Sequence, residues 1–196
     1  MNMKRLFPIM FLMCLGTVLS FAQTTASFKG MVVSGHADCI RLCEKVDDNP
    51  VKSTPTVGPV SRVAVQNDSL IVALAADNFI YSSTDGLDWH LMDFCATYGD
   101  YYGWCSLVML AASDYDFMVV GADENGEPLA FTSVQGRIWS PRPLEYPVVG
   151  GYERLEEMPV DLLYDGEHDR YEMVLGNGDR LLLPACSHCN ALVKGQ

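Results

Sequence analysis

The chain has 196 residues, of which 49% are hydrophobic and 19% charged, and its formal net charge is −12. Such acidity argues against nucleic acid and anionic membrane surfaces as partners, since both would repel it. The length suits one compact domain with a real core.

Residues 1–22 read as a signal peptide. Met1-Asn2-Met3-Lys4-Arg5 is a basic start, Leu6 to Leu19 is mostly apolar, and Ser20-Phe21-Ala22 places small residues at the two positions a signal peptidase reads. Cleavage before Gln23 leaves 11 basic side chains against 25 acidic ones, a formal charge of −14. The expectation is export, to the periplasm, the cell surface or the exterior. A lipid anchor on Cys14 is the alternative, but Phe11-Leu12-Met13 puts a large residue where the acylation motif needs a small one. Pro8 and Gly16 interrupt the apolar run, so no transmembrane segment is expected.

Residues 23–59 read as N-terminal strands and a linker, a partial sheet. Phe28 to Val33 and Ile40 to Val46 are strand-like, and Pro50 to Pro59 is a Pro/Thr-rich connection. Residues 60–196 then repeat one order of short apolar runs divided by Gly, Asn, Asp and Pro, the signature of hairpins. In the first copy the runs are Val60 to Val65, Leu70 to Ala75, Phe79 to Ser82 and Trp89 to Phe94. The second has Leu107 to Ala111, Phe117 to Gly121, Leu129 to Thr132 and Trp139 onward. A degraded third has Val160 to Tyr164, Tyr171 to Leu175 and Leu181 to Leu183, with Cys186-Ser187-His188-Cys189 where the last turn should come. Sustained helical periodicity is almost absent, so the fold class is all-β.

A motif marks the same turn in two copies. Ser83-Thr84-Asp85-Gly86-Leu87-Asp88-Trp89 and Ser133-Val134-Gln135-Gly136-Arg137-Ile138-Trp139 both read Ser-x-(Asp or Gln)-Gly-x-x-Trp, 50 residues apart. An Asp here can accept from the N–H groups of its own turn, Gly86 allows a backbone closed to most residues, and Trp89 and Trp139 can bury large area between sheets. The pattern resembles the Asp-box, or BNR, repeat of sialidase-type and photosystem-assembly-factor-type β-propellers, over roughly residues 60–193. The resemblance implies a β-propeller-like array of about three four-stranded antiparallel blades plus an N-terminal partial blade. The structural box residues would be Ser83, Asp85, Gly86, Trp89, Ser133, Gly136 and Trp139. Three blades are too few for a closed ring of four to eight. Residues 24–59 must supply the rest, or another chain (a second copy included) completes the ring, or it stays open.

Six cysteines remain after Cys14 leaves, and an even number in an exported chain suggests disulfides. The simplest pairs are Cys39 with Cys43, Cys95 with Cys105, and Cys186 with Cys189. Neither a metal nor a cofactor is expected. A catalytic sialidase relative would need an arginine triad and a Tyr-Glu nucleophile pair. The chain is short for that and has no Arg-Ile-Pro motif, and Glu153, Glu156 and Glu157 read as a solvated run.

The candidate binding feature is the segment from Cys95 to Cys105, an aromatic loop between blades carrying Tyr98, Tyr101, Tyr102 and Trp104. Such residues give rigid contact area with hydroxyl handles. Blade topology puts this loop on one face with Asp123 to Glu127 and Gly176 to Asp179, opposite the boxes. The expected function is an exported non-catalytic binding module for a protein or glycan. A glycoside hydrolase and a structural module that completes a propeller with a partner are the alternatives.

Overall fold

The computed structural model describes residues 25–45 and 49–185. It contains four successive antiparallel sheets, each wound from consecutive strands. Sheet I takes β1 (Thr25–Phe28), β2 (Met31–Gly35), β3 (Cys39–Glu44) and β4 (Pro50–Pro55). Sheet II takes β5 (Val60–Gln66), β6 (Leu70–Ala75), β7 (Phe79–Ser83) and β8 (His90–Asp93). A helix, α1 (Phe94–Tyr102), leads into sheet III: β9 (Cys105–Ala112), β10 (Phe117–Asp123), β11 (Pro128–Ser133) and β12 (Ser140–Arg142). A hairpin of β13 (Glu145–Val148) and β14 (Gly151–Arg154) precedes sheet IV, which has β15 (Asp161–Asp165), β16 (Arg170–Val174) and β17 (Arg180–Pro184).

The runs of the sequence become these strands because each is short, apolar and closed by turn residues. Lys29-Gly30 joins β1 to β2 and Asn67-Asp68 lies between β5 and β6, all four at positive φ as tight primed turns require. Strands β6 and β10 are continuous apolar runs rather than alternating ones because both of their faces are covered. In β6, Ile71 and Ala73 point to sheet I while Val72 and Leu74 point to sheet III. In β10, Phe117 and Val119 face sheet II while Met118 and Val120 face sheet IV.

Three cores result, one between each pair of neighbours. Phe28, Val33, Ile40 and Leu42 pack on sheet II. Leu107, Leu110, Phe131 and Trp139 meet the opposite side of sheet II. Tyr171, Met173, Leu181 and Leu183 cover sheet III, with Leu144 and Leu155 from around the hairpin. Innermost strands stack in order, β1 on β5, β5 on β9 and β9 on β15.

Two expectations need correction, and a third falls outside what the structure describes. The N-terminal segment is a full four-stranded sheet, not a partial one: Pro50–Pro55 is its outer strand, and prolines are tolerated there because an edge strand has N–H groups to spare. The aromatic loop is the helix α1. The fourth run of the degraded copy, with Cys186 and Cys189, lies outside the described residues.

Candidate functional site

Helix α1 is short and held at both ends. The Asp93 carboxylate accepts from the Ala96 N–H at 2.9 Å, and the Thr97 hydroxyl donates to the Asp93 carbonyl at 2.7 Å. That cap satisfies a donor the first turn cannot pair internally. At the other end the Gly103 N–H donates to the Gly99 carbonyl at 2.9 Å, with Gly103 at φ 72°.

Beneath the helix lies an aromatic stack. Buried Phe94 meets Phe131 edge-on at 4.8 Å and Tyr98 at 4.9 Å, and Tyr102 meets Phe131 at 5.1 Å. The Tyr98 hydroxyl accepts the Trp139 backbone N–H at 2.9 Å, which ties α1 to the second box. Of the four aromatics singled out in the sequence, Tyr98 is therefore a strut. Tyr101 and Trp104 are 80% and 61% exposed, and Tyr102 sits between the two situations.

The outward rings stand between concavities. Trp104 borders one of about 260 Å³ with Ala75, Asp77 and Val108. Tyr102 borders another of about 460 Å³ with Asp123, Pro128, Arg142 and Arg154. Arg154 also lines a third, of about 750 Å³, with Glu153, Glu157, Asn177 and Asp179. The topological expectation places α1 beside the Asp123 and Asp179 turns, and Arg154 is the side chain shared between them. The Asp123 carboxylate accepts from the N–H groups of Glu127 and Asn125, foremost Glu127, and these hold its pKa below the usual carboxylate value. The surface is thus aromatic and anionic.

The two boxes turn at the opposite ends of sheets II and III. In the first, the Ser83 hydroxyl accepts from the N–H groups of Asp85 and Gly86 at 3.3 and 2.8 Å and donates to Asp85 Oδ1 at 3.0 Å. The same oxygen accepts from Leu87 and Asp88 at 2.8 and 2.9 Å, while Trp89 Nε1 donates to the Gly86 carbonyl at 3.1 Å. The second box, with Gln135 in place of Asp, does not reproduce this arrangement: its buried Ser133 hydroxyl and Trp139 Nε1 have no hydrogen-bond partner. Both glycines have positive φ and abut the preceding sheet: a Cβ on Gly86 would lie 3.2 Å from Leu42, and one on Gly136 2.6 Å from Val72.

The cysteine pairing expected from spacing is not what the structure holds. Cys39, Cys43, Cys95 and Cys105 are free thiols. Cys39 and Cys43 lie on one strand, four residues and so roughly 13 Å apart, beyond disulfide reach. Cys95 and Cys105 are neighbours bridged by Asn78, one of the polar residues between the runs Leu70 to Ala75 and Phe79 to Ser82. Buried Asn78 donates to Cys95 Sγ at 3.3 Å and to the Cys105 carbonyl at 2.9 Å, and its own carbonyl accepts the Leu107 N–H at 2.6 Å. Burial, reinforced by Cys95, pushes the Cys105 thiol up to about 12, so it is not a thiolate at neutral pH. Cys186 and Cys189 lie outside the described residues. Among the described residues no group of three or more His, Cys, Asp and Glu side chains could hold a metal ion, and no helix is long and apolar enough to cross a membrane.

No protein-family model matches the chain, and no curated protein matches it. Solved structures do. The β-propeller domain of Cps50 (Swd1) from Myceliophteria thermophila superposes with a TM-score of 0.57 at 10% identity, covering 84% of this chain and 54% of that domain. A chain of a mitotic checkpoint complex gives 0.57 at 10% identity, covering 82% of this chain and 48% of the other. The computationally designed Ika4 protein gives 0.50 at 15% identity, covering 84% of this chain and 91% of that one. The chain therefore spans about half the length of the first two. At such identities the likeness shows the fold alone, and that fold is an all-β, propeller-like array of antiparallel sheets.

Proposed function

We propose that this protein is an exported, non-catalytic binding module that takes a protein ligand on the α1 face. One observation carries the reading: Tyr101 on the last turn of a capped helix and Trp104 just past its C-cap both stand exposed, above an underside locked by Phe94, Tyr98 and Phe131. Anchored aromatics lose little side-chain freedom on binding, and aromatic side chains dominate the energetics of protein interfaces. The flanking carboxylates of Asp123, Glu153 and Asp179 favour a basic partner surface. Export rests on the basic-then-apolar character of residues 1–22. The paired Ser-x-x-Gly-x-x-Trp turns, with Asp85 gathering its own N–H groups, support assignment to the Asp-box repeats.

Capture from detergent-solubilised surface proteins, in parallel with a glycan array, tests the reading. The wild-type chain is compared with a Tyr101→Ala/Trp104→Ala double variant. A protein captured by the wild type and lost in the variant, with far-UV circular dichroism unchanged, is the expected result. Glycan binding alone, or capture indifferent to the substitutions, would overturn it.

A further inference from the structure

Four sheets stacked into a closed ring would have four cores between them, and the described residues form three. Sheets II and III pack on a neighbouring sheet at both faces, whereas among the described residues I and IV pack on one each. The innermost strands β1, β5, β9 and β15 border one trough of about 810 Å³, yet among the described residues β15 does not stack along β1 as the others stack in turn. Among the described residues the array is an arc whose two end sheets each have a single neighbouring sheet.

Those ends have the character of contact surfaces. On the outer face of sheet IV the register sets Leu163, Glu172 and Leu182 in one row across the three strands. Both leucines are close to half exposed, 44% and 45%. Charges surround them: Arg170 pairs with Asp165 at 3.1 Å and with Glu172 at 2.9 Å, and Arg180 also pairs with Glu172. Half-exposed leucines on β15 and β17 thus flank a central strand whose Arg170 and Glu172 are already paired, so the face offers apolar area beside neutralised charge. The outer face of sheet I carries exposed Arg41 and half-buried Val32, with Ser34 and Cys43 buried beside them. Counting Asp161, Asp165 and Glu172 against Arg170 and Arg180, the sheet IV face is net negative by one, while Arg41 makes the sheet I face positive by one.

We propose that a second copy of this chain closes the ring head to tail. The outer face of sheet IV in each copy packs on the outer face of sheet I in the other. Two four-sheet arcs give eight sheets, within the four to eight a propeller takes, whereas three copies would exceed it. A twofold axis forms both contacts at once, and the second is then intramolecular and strengthened by high effective concentration. The superposition on only about half of the Cps50 (Swd1) propeller domain agrees with an arc of this span.

Sedimentation velocity on the full chain at micromolar concentration decides it. The expected species has twice the mass of one chain and dissociates on dilution. Leu163→Asp and the separate variant Arg41→Glu should each raise the dimer Kd by about tenfold or more, with circular dichroism unchanged. Arg41→Glu alters an exposed side chain, so it remains informative if Leu163→Asp fails to fold. Mixing the two variants leaves one unaltered sheet IV–sheet I contact per pair, so the mixture should dimerise more tightly than either variant alone. A wild-type monomer, an assembly whose mass grows without limit, or a mixture no tighter than its components would overturn the proposal. The Tyr101→Ala/Trp104→Ala variant should keep the dimer mass, so loss of ligand capture and loss of the dimer are separate results.

Discussion

The contrast between Asp85 and Gln135 shows what one side chain does in a repeated turn. Asp85 ends the demand of the Leu87 and Asp88 N–H groups and of the Ser83 hydroxyl with a single oxygen. Gln135 leaves the Ser133 hydroxyl buried and unpartnered. Gln135→Asp should therefore raise stability by about 1 kcal/mol, and Asp85→Ala should lower it by about 1–2 kcal/mol, both read from urea unfolding midpoints at neutral pH. An unchanged or lowered midpoint for Gln135→Asp would refute the equivalence of the two turns. Asn78 is the residue no sequence signal distinguished, because Asp77-Asn78 reads as one more turn dipeptide. Its amide is buried at a positive φ of 65° and serves three groups across the α1 junction. Asn78→Ala strands the Leu107 N–H and the Cys105 carbonyl and strains the backbone, so about 2–4 kcal/mol should be lost. A loss under roughly 1 kcal/mol would mean that water replaces the amide.

At the scale of elements, the hairpins were legible because turn chemistry and strand length agree. Asn67-Asp68 needs positive φ at both positions, and the flanking runs have strand length. Helix α1 was not legible: nine residues with Gly99 inside show no sustained period, and only its caps, Asp93 and Gly103, announce it. Sheet I was half legible, since β4 with a proline at each end reads as linker until an edge position makes the prolines harmless. The contact between sheets III and IV hides a polar cluster that hydrophobic patterning cannot reveal. Tyr171 donates to Asp116 Oδ1 at 2.8 Å, the Ser113 hydroxyl donates to the same oxygen at 2.6 Å, and the Ser113 N–H donates to the Tyr171 hydroxyl at 3.1 Å. Burial raises the Asp116 pKa above its ordinary 3.8, against the lowering pull of Ser113, Tyr171 and Arg142, with Asp169 adding to the rise. The folded state thus holds this proton to higher pH than the unfolded chain does. Its contribution is present in full below 3.8 and falls as pH rises through the higher folded value. Asp116→Asn keeps an acceptor without a titration, so its stability relative to wild type should grow across that interval in urea melts at stepped pH. Parallel curves would show that Asp116 does not titrate differently on folding.

For the whole molecule, a row of sheets that touch only their neighbours behaves as a short one-dimensional array, in which each sheet and each junction contributes its own stability. An end sheet has one core to lose and a middle sheet has two. Met173→Ala opens a cavity between sheets III and IV, and Phe131→Ala opens one between II and III beneath α1; large-to-small changes of this kind cost about 2–5 kcal/mol. The two should be lost in different places. In samples dilute enough to dissociate any pair of copies, Met173→Ala should strip hydrogen-exchange protection from β15–β17 while β5–β8 keep theirs. Phe131→Ala should lower protection in β5–β8 and β9–β12 together, because it weakens a junction both middle sheets share. Raising the concentration until copies pair should return protection to sheet IV in Met173→Ala ahead of any change in sheet II, since sheet IV alone of the two gains a new neighbour. Uniform loss across all four sheets in both variants would instead mean that the arc unfolds as a single unit, with its ends as firmly held as its middle.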